Sequence, residues 1–161
     1  MKKMLLTIAI MAAIVAPALA DTLTDADGGT LTVADWSHNS QGLWSLTVIW
    51  TDTDGNGTAG IDIPTDFSNE TMLDKFRKAV VAALSTDPDG THAPTDNYDI
   101  AINKKTLGID CFQGGANNRD TSTSETAFPL RGFEHPDDTL QLVVSGQSVS
   151  GAVVAMTIYV E

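Results

Sequence analysis

The sequence predicts an all-β protein built as one antiparallel sandwich, and two observations lead to that fold class. Short runs rich in Val, Ile, Thr, Leu and Trp alternate apolar and polar side chains with a period of two, as half-buried strands do. The 13 glycines and 6 prolines fall mostly between these runs, where turns are expected. With 161 residues and a hydrophobic content of 42%, the chain is long and apolar enough to bury a core.

The first half of the chain contains the clearest strand pattern. Residues 30–33 form one candidate strand, and residues 43–50 form the strongest, whose inward face carries Trp44, Leu46, Val48 and Trp50. The glycine-rich residues 54–57 indicate a turn. Residues 59–63 are then expected to return as the partner of residues 43–50, ending at Pro64.

The second half repeats the alternation. Residues 98–103 predict a strand with Tyr98, Ile100 and Ile102 facing inward, and residues 87–96 and 114–125 are loops. Residues 139–145 and 152–160 alternate on either side of a Ser/Gly turn, so we expect them to form a closing hairpin. Their inward side chains would be Leu140, Leu142, Val144, Val154, Met156, Ile158 and Val160.

One segment, residues 68–84, has helical rather than strand spacing. Its apolar residues fall at Met72, Leu73, Phe76, Val80, Ala83 and Leu84. Periodicity alone predicts one short helix here, capped by Ser68 or Asn69. The alternative is a strand over residues 76–84, in which Phe76, Val80 and Leu84 also share a face.

The first twenty residues have the three parts of a secretory signal peptide. Lys2 and Lys3 give a positive start, residues 4–16 are almost uniformly apolar, and residues 18–20 read A-L-A before Asp21. We expect cleavage there, leaving a single domain of residues 21–161 in the periplasm or outside the cell. The alternative is an uncleaved N-terminal anchor.

The charge balance and the single cysteine exclude several partners and sites. There are 9 Lys and Arg against 21 Asp and Glu, a net charge of −12. Loss of Lys2 and Lys3 with the leader leaves 7 bases against 21 acids, a charge of −14. Nucleic acids and anionic membranes need a basic footprint, so neither is an expected partner. One cysteine allows neither an internal disulfide framework nor a CxxC-type zinc site.

Two loop-and-strand segments stand out from the rest of the chain. In the first, Pro94 keeps its predecessor extended, and Thr95 or Asp96 is expected to bond forward to backbone N–H groups. Tyr98 would enter the following strand with its hydroxyl bonded to nearby backbone, and Asp99 would face the other side.

The second segment, residues 108–121, contains Asp110 and the run Gly114-Gly115-Ala116-Asn117-Asn118-Arg119-Asp120. Its glycines and asparagines, Gly114 and Asn117 among them, tolerate unusual φ values. Arg119 is expected to hold the loop through a pair with Asp110 or Asp120. The alternative is an exposed arginine that contacts a partner subunit.

Together these segments resemble a group of small tailed-phage virion-associated proteins with a PTDNYDI-type segment and a GGANNRD-type loop. The likeness extends from about Leu43 to the C-terminus, and it includes the W-x-L-x-V-x-W strand at residues 44–50. It implies a jelly-roll-like or immunoglobulin-like sandwich of about seven to eight strands that assembles into a virion, and it favours a strand over residues 76–84. The signal peptide departs from the family pattern, because phage structural proteins do not usually carry one. A domain of this family that has been repurposed for the cell envelope is therefore an alternative.

Candidate ligands for a cofactor are few. Asp52, Asp54 and Asn56 match the first half of a calcium loop, but its twelfth position is Ile63 rather than a bidentate Glu. A hairpin turn explains the same residues, so no metal or cofactor is expected beyond a weak calcium site. The three histidines lie far apart, in polar loops. Cys111 suggests a buried thiol, with an exposed, subunit-bridging thiol as the alternative.

The expected function is that of a non-enzymatic structural or interaction module. Its partners would be proteins, either further copies of the chain or virion proteins. No sequence motif places a nucleophile beside a base. The alternative is a secreted, calcium-assisted domain that binds surfaces or glycans, with Trp36 as its stacking platform.

Overall fold

A computed structural model describes residues 22–24, 29–38, 43–63, 80–129 and 139–161. The predicted signal peptide, His135 and residues 68–79 of the ambiguous segment lie outside this part of the chain. Among the described residues no helix is long and apolar enough to cross a membrane.

In the described ranges ten antiparallel strands form two sheets, and there is no helix. The strands are β1 (Thr22–Thr24), β2 (Gly29–His38), β3 (Trp44–Asp52), β4 (Thr58–Asp62), β5 (Val81–Pro88), β6 (Asp99–Lys104), β7 (Ile109–Asp110), β8 (Glu125–Ala127), β9 (Leu140–Ser145) and β10 (Val153–Val160). The six-stranded sheet has the order β1-β2-β3-β10-β5-β8, and the four-stranded sheet has the order β4-β9-β6-β7. The all-β sandwich is therefore confirmed.

The last eight strands have jelly-roll order. β3 pairs with β10, β4 with β9, β5 with β8, and β6 with β7. The first four of these eight strands therefore pair with the last four in reverse chain order. This is one long antiparallel ribbon rolled into two sheets. Of the two predicted forms, the jelly roll is the one observed. The described residues contain more strands than the predicted seven to eight, because β1, β7 and β8 have only 3, 2 and 3 residues and are too short to show an alternating pattern.

Two predicted hairpins are wrong for the same reason. β4 does not return beside β3 but crosses to the other sheet and pairs with β9. Likewise β9 and β10 lie in different sheets, and residues 146–152 cross between them. Gly57, with φ of 77°, allows the first crossing, because a Cβ there would lie 2.2 Å from the Val144 carbonyl oxygen.

The described end of the ambiguous segment is strand, not helix. Residues 81–84 belong to β5, so the helix prediction is wrong for them. The predicted strand face also needs correction. A register shift opposite Val160 takes up one extra residue, so Val81 is fully buried while Val80 is only half-buried.

The core lies between the two sheets and consists of the inward faces that the alternation predicts. All seven predicted side chains of β9 and β10 are at most 1% exposed, and so are Leu46, Val48 and Trp50. Trp44 is half-buried at the margin, where its ring lies 4.3 Å from the ring of His38 between centroids. The largest fully buried side chains are Trp50, Tyr98 and Phe112.

Four described connections meet at one end of the sandwich, which we call the Asp52 end. They are residues 53–57, 89–98, 111–124 and 146–152. Antiparallel order requires this, because β3, β5 and β9 end where β4, β6 and β10 begin. Both segments singled out in the sequence reach this end.

Candidate functional site

A buried carboxylate organises the Asp52 end. Asp52 is fully buried, and its Oδ1 accepts hydrogen bonds from the backbone N–H groups of Asp54 (3.0 Å) and Gly55 (2.8 Å). Its Oδ2 accepts from the Gly57 N–H (2.9 Å) and the Gln147 side-chain amide (3.0 Å). Burial by itself raises the pKa of Asp52, but the bonds from Gly55, Gly57, Gln147 and Asp54 outweigh it and hold the pKa below its ordinary value.

These bonds bear on the predicted calcium loop. Asp54 accepts from both the backbone N–H and the side-chain amide of Asn56, at 3.0 and 2.9 Å. The carboxylates of the candidate ligands Asp52 and Asp54 thus already accept hydrogen bonds from their own turn. The two oxygens of Asp52 together accept four hydrogen bonds. No group of three or more His, Cys, Asp or Glu that could hold a metal occurs in the described ranges.

Gln147 ties its own connection, residues 146–152, to residues 89–98 and to the last residue of β3, and sequence reasoning missed it. Besides its bond to Asp52, its Oε1 accepts from the Thr95 N–H (2.8 Å) and hydroxyl (3.0 Å). The Thr95 hydroxyl also receives the Ser148 N–H at 2.8 Å. The forward bond predicted for Thr95 is therefore wrong. Gln147 lies in a Ser/Gly turn, and nothing in its local pattern marks it as a buried residue.

The PTDNYDI-type and GGANNRD-type segments lie against each other. Tyr98 and Arg119 form an isolated antiparallel bridge, with the Arg119 N–H donating to the Tyr98 carbonyl at 2.8 Å. The Thr121 hydroxyl donates to the carbonyl of Pro94, which is buried, at 2.7 Å. Asp96 accepts from the Asn97 side-chain amide at 3.3 Å rather than from the backbone further along.

Tyr98 is fully buried, but its hydroxyl bonds to no backbone group of the described residues, so the predicted bond is not observed. Burial raises the pKa of Tyr98 to about 12. The hydroxyl lies beside the Thr86 side chain, which lowers the pKa and opposes part of that rise, but the two do not meet hydrogen-bond geometry.

Arg119 pins the loop, but not through the predicted acids. It is only 8% exposed, which contradicts an exposed contact with a partner subunit. Its guanidinium donates to the carbonyls of Gly115 and Asn117 at 3.3 and 3.4 Å, and its Nε lies 3.7 Å from Glu125 Oε2. Asp110 and Asp120 are not its partners, because their carboxylates face backbone N–H groups.

Three of the four acids in these segments accept hydrogen bonds from backbone N–H groups. Asp99 accepts the Asn118 N–H at 2.8 Å, and Asp110 accepts three backbone N–H groups, those of Ile102, Phe112 and Gly114. Asp120 accepts from the Ser122 hydroxyl, the Ser122 N–H and the Thr123 N–H, which lower its pKa. The predicted freedom of φ is used at Gly114 (80°) and Asn118 (55°), and also at Gln113 (50°), but not at Asn117.

The remaining candidate residues are separated. His38 ends β2 at the far end of the sandwich, whereas His92 lies at the Asp52 end, 3.1 Å from Asp89. Cys111 is fully buried, as the first of its two interpretations predicts. Comparisons with family models, with curated proteins and with solved structures found no match for this chain.

The outer side of the six-stranded sheet differs from the loops in composition. We define the outer face as the outward side chains of its two middle strands, which are Ser45, Thr47, Ile49 and Thr51 on β3 and Val153, Ala155, Thr157 and Tyr159 on β10. None of the eight is charged. On the flanking strands, Asp35 occupies the register position opposite Thr47, and Asp87 occupies the one opposite Ala155, so an acidic residue lies beside this face on each flank.

A second group of exposed side chains lies at the sheet edges. Ile109 on edge strand β7 is 47% exposed, Leu107 in the turn before it is 61% exposed, and Phe128 just after edge strand β8 is 65% exposed. Edge strands and exposed apolar side chains are both typical contact elements.

Proposed function

We propose that this protein is a non-enzymatic structural module that resembles phage virion accessory proteins, is exported, and acts by protein–protein contact. Its main support is the jelly-roll order of β3 to β10, an architecture that recurs in viral capsid proteins. This is an analogy at the level of fold, and fold alone does not specify function. It agrees with the family that the two motif segments resemble.

The use of the motif side chains adds support. Asp99, Asp110 and Asp120 hold backbone N–H groups, and Arg119 holds backbone carbonyls. A motif whose polar side chains are bonded to its own loops is suited to setting loop shape. Such loops present a rigid surface, and rigid surfaces lose less entropy when they bind.

The same topology also occurs in lectins, the class of the alternative calcium-assisted domain. The bonding of Asp52 gives that alternative no support, because its carboxylate oxygens already accept four hydrogen bonds. We therefore propose contact with proteins rather than with glycans.

The test is association of the full chain, expressed with its own leader and recovered after export. Mass spectrometry of the N-terminus shows whether Asp21 is the first residue, and sedimentation velocity over a wide concentration range measures self-association. In parallel, a C-terminally tagged chain is cross-linked in the producing cells and its particles and envelope are fractionated. We expect self-association or a defined complex. A protein that stays monomeric at high concentration and enters no particle or envelope complex would refute the proposal.

A further inference from the structure

We infer that Asn56 is a site of N-linked glycosylation, and that it receives an oligosaccharide from a lipid-linked donor while the chain is exported. This inference rests on the export in the proposed function and adds a covalent modification to it. Residues 56–58 read Asn-Gly-Thr, which is the acceptor motif Asn-x-Ser/Thr of secreted proteins. Asp54, two positions before the asparagine, completes the longer motif Asp/Glu-x-Asn-x-Ser/Thr that bacterial oligosaccharyltransferases recognise.

The shorter motif occurs twice in the chain, and the two matches are not equivalent. The other match is residues 69–71, Asn-Glu-Thr, but Phe67 rather than an acid stands two positions before Asn69. It also lies outside the described residues. The longer motif therefore selects Asn56.

The folded structure can accommodate a sugar on Asn56. The residue is exposed, in the connection between β3 and β4. Its amide nitrogen Nδ2 carries two hydrogens and donates one hydrogen bond to Asp54 Oδ2, at 2.9 Å. Glycosylation replaces only one of the two hydrogens, so the remaining N–H can keep this bond. An N-linked glycan is bulky and needs such a surface position.

The rest of the motif indicates when the transfer occurs. Thr58 is only 3% exposed at the start of β4, where it pairs with Val144 of β9. Gly57 is also buried, and its N–H donates to Asp52 Oδ2 at 2.9 Å. The transferase has to reach the threonine hydroxyl, so the transfer precedes the pairing of β4 with β9. The leader has no Arg-Arg pair of the twin-arginine type, and a chain exported by the general route crosses the membrane unfolded, with the whole motif accessible.

The reaction needs one co-reactant, a membrane lipid that carries the oligosaccharide through a pyrophosphate group. The Nδ2 atom of Asn56 forms a bond to the anomeric carbon of the first sugar. The bond between that carbon and the pyrophosphate oxygen breaks, and the lipid pyrophosphate leaves with the electron pair. The amide gives up one proton to a base of the transferase.

The test exports the full chain, with its own leader, from a bacterium that contains an oligosaccharyltransferase and its lipid-linked oligosaccharide. Mass spectrometry of the purified chain and its peptides should find the added mass of one oligosaccharide at Asn56. Asn56→Gln removes the acceptor and Thr58→Val removes the hydroxyl, so each should lose the glycan, whereas Thr58→Ser should keep it. Asn117→Gln is the matched control, because Asn117 is also exposed but is followed two residues later by Arg119, and this variant should be glycosylated like the wild type.

A second arm tests the order of events. Folded, unmodified chain is purified from cells without the transferase and is then mixed with the same enzyme and donor. We expect it to stay unmodified, because Thr58 is buried. Modification of this folded chain would refute transfer during export.

The outcomes separate this inference from the proposed function. A mature chain that begins at Asp21 but has no glycan at Asn56, in cells that glycosylate a second exported acceptor protein, overturns the inference while export stands. A glycan on Thr58→Val does the same. A chain that keeps its leader and stays in the cytoplasm overturns export and this inference together. A glycosylated chain that neither self-associates nor enters a complex refutes the contact function and leaves this inference intact. Because the transfer precedes folding, a variant that folds poorly still gives a mass that decides.

Discussion

Replacement of Asp52 by alanine should be one of the most damaging changes of a single polar side chain in the described part of this protein. The substitution removes the acceptor of four hydrogen bonds. The Asp54 N–H lies in an exposed turn and Gly55 is half-buried, so water can replace the carboxylate there. The Gly57 N–H and one N–H of the Gln147 side-chain amide are buried and would lose their acceptor, whereas the same amide nitrogen keeps its bond to the Val149 carbonyl.

The size of the effect follows from those two buried donors. A buried donor left without a partner costs about 1–3 kcal/mol, so two of them predict a loss of about 4 kcal/mol in the free energy of unfolding. At about 3–4 °C per kcal/mol for a domain of this size, the Tm should fall by about 12–16 °C. The loss is large because Gln147 also holds Thr95, so a third connection loses support.

Asp89→Ala is the matched control. Asp89 also accepts two backbone N–H groups, those of Thr91 and His92, at 2.9 and 2.7 Å, but its side chain is 45% exposed. Water can replace the lost acceptor there, so the loss should be much smaller. Urea unfolding at neutral pH, followed by the fluorescence of buried Trp50, measures both variants. Equal losses for Asp52→Ala and Asp89→Ala would refute the reasoning.

Further predictions concern pH, chain crossing, an unused hydroxyl and calcium. The pKa of Asp52 is lower in the folded than in the unfolded chain, so the unfolded chain binds the proton first as the pH falls. The stability that Asp52 contributes is therefore present above about pH 4 and is lost below it. Urea unfolding at decreasing pH should show a shrinking difference in unfolding free energy between wild type and Asp52→Asn. Gly57→Ala should prevent stable folding, because the added Cβ would overlap the Val144 carbonyl oxygen. Gly90→Ala is the control: no atom lies within 4 Å of its added Cβ, so the unfolding free energy should change by less than about 0.5 kcal/mol. Soluble yield and the urea midpoint measure both variants. Tyr98→Phe should leave the unfolding free energy unchanged or raise it by up to about 1 kcal/mol, and a clear loss would mean that the hydroxyl has a partner. Millimolar calcium, compared with a chelator in a thermal scan, should shift the Tm by less than about 1 °C, and a larger shift would revive the calcium-assisted alternative.

The inward-facing side chains of most strands follow directly from the pattern of apolar residues. Alternation with a period of two depends only on strand geometry, so Trp50 and Ile158 could be assigned to the core without knowledge of their neighbours. The exceptions are local as well. In β5 a single extra residue shifts the register, so that Val81 rather than Val80 is buried. The sequence pattern does not indicate this shift.

The pairing of the strands and the hydrogen-bond partners of the polar motif residues depend on the three-dimensional fold. A strand pattern does not specify its neighbour, and a five-residue connection such as residues 53–57 can close a hairpin or cross between sheets. The partners that settle the matter are distant or lie outside any local pattern. Asp52 and Gln147 are 95 residues apart, and Arg119 lies near Glu125 rather than either predicted acid. A buried polar group must form hydrogen bonds with whichever groups the fold places beside it, and these are often distant in sequence.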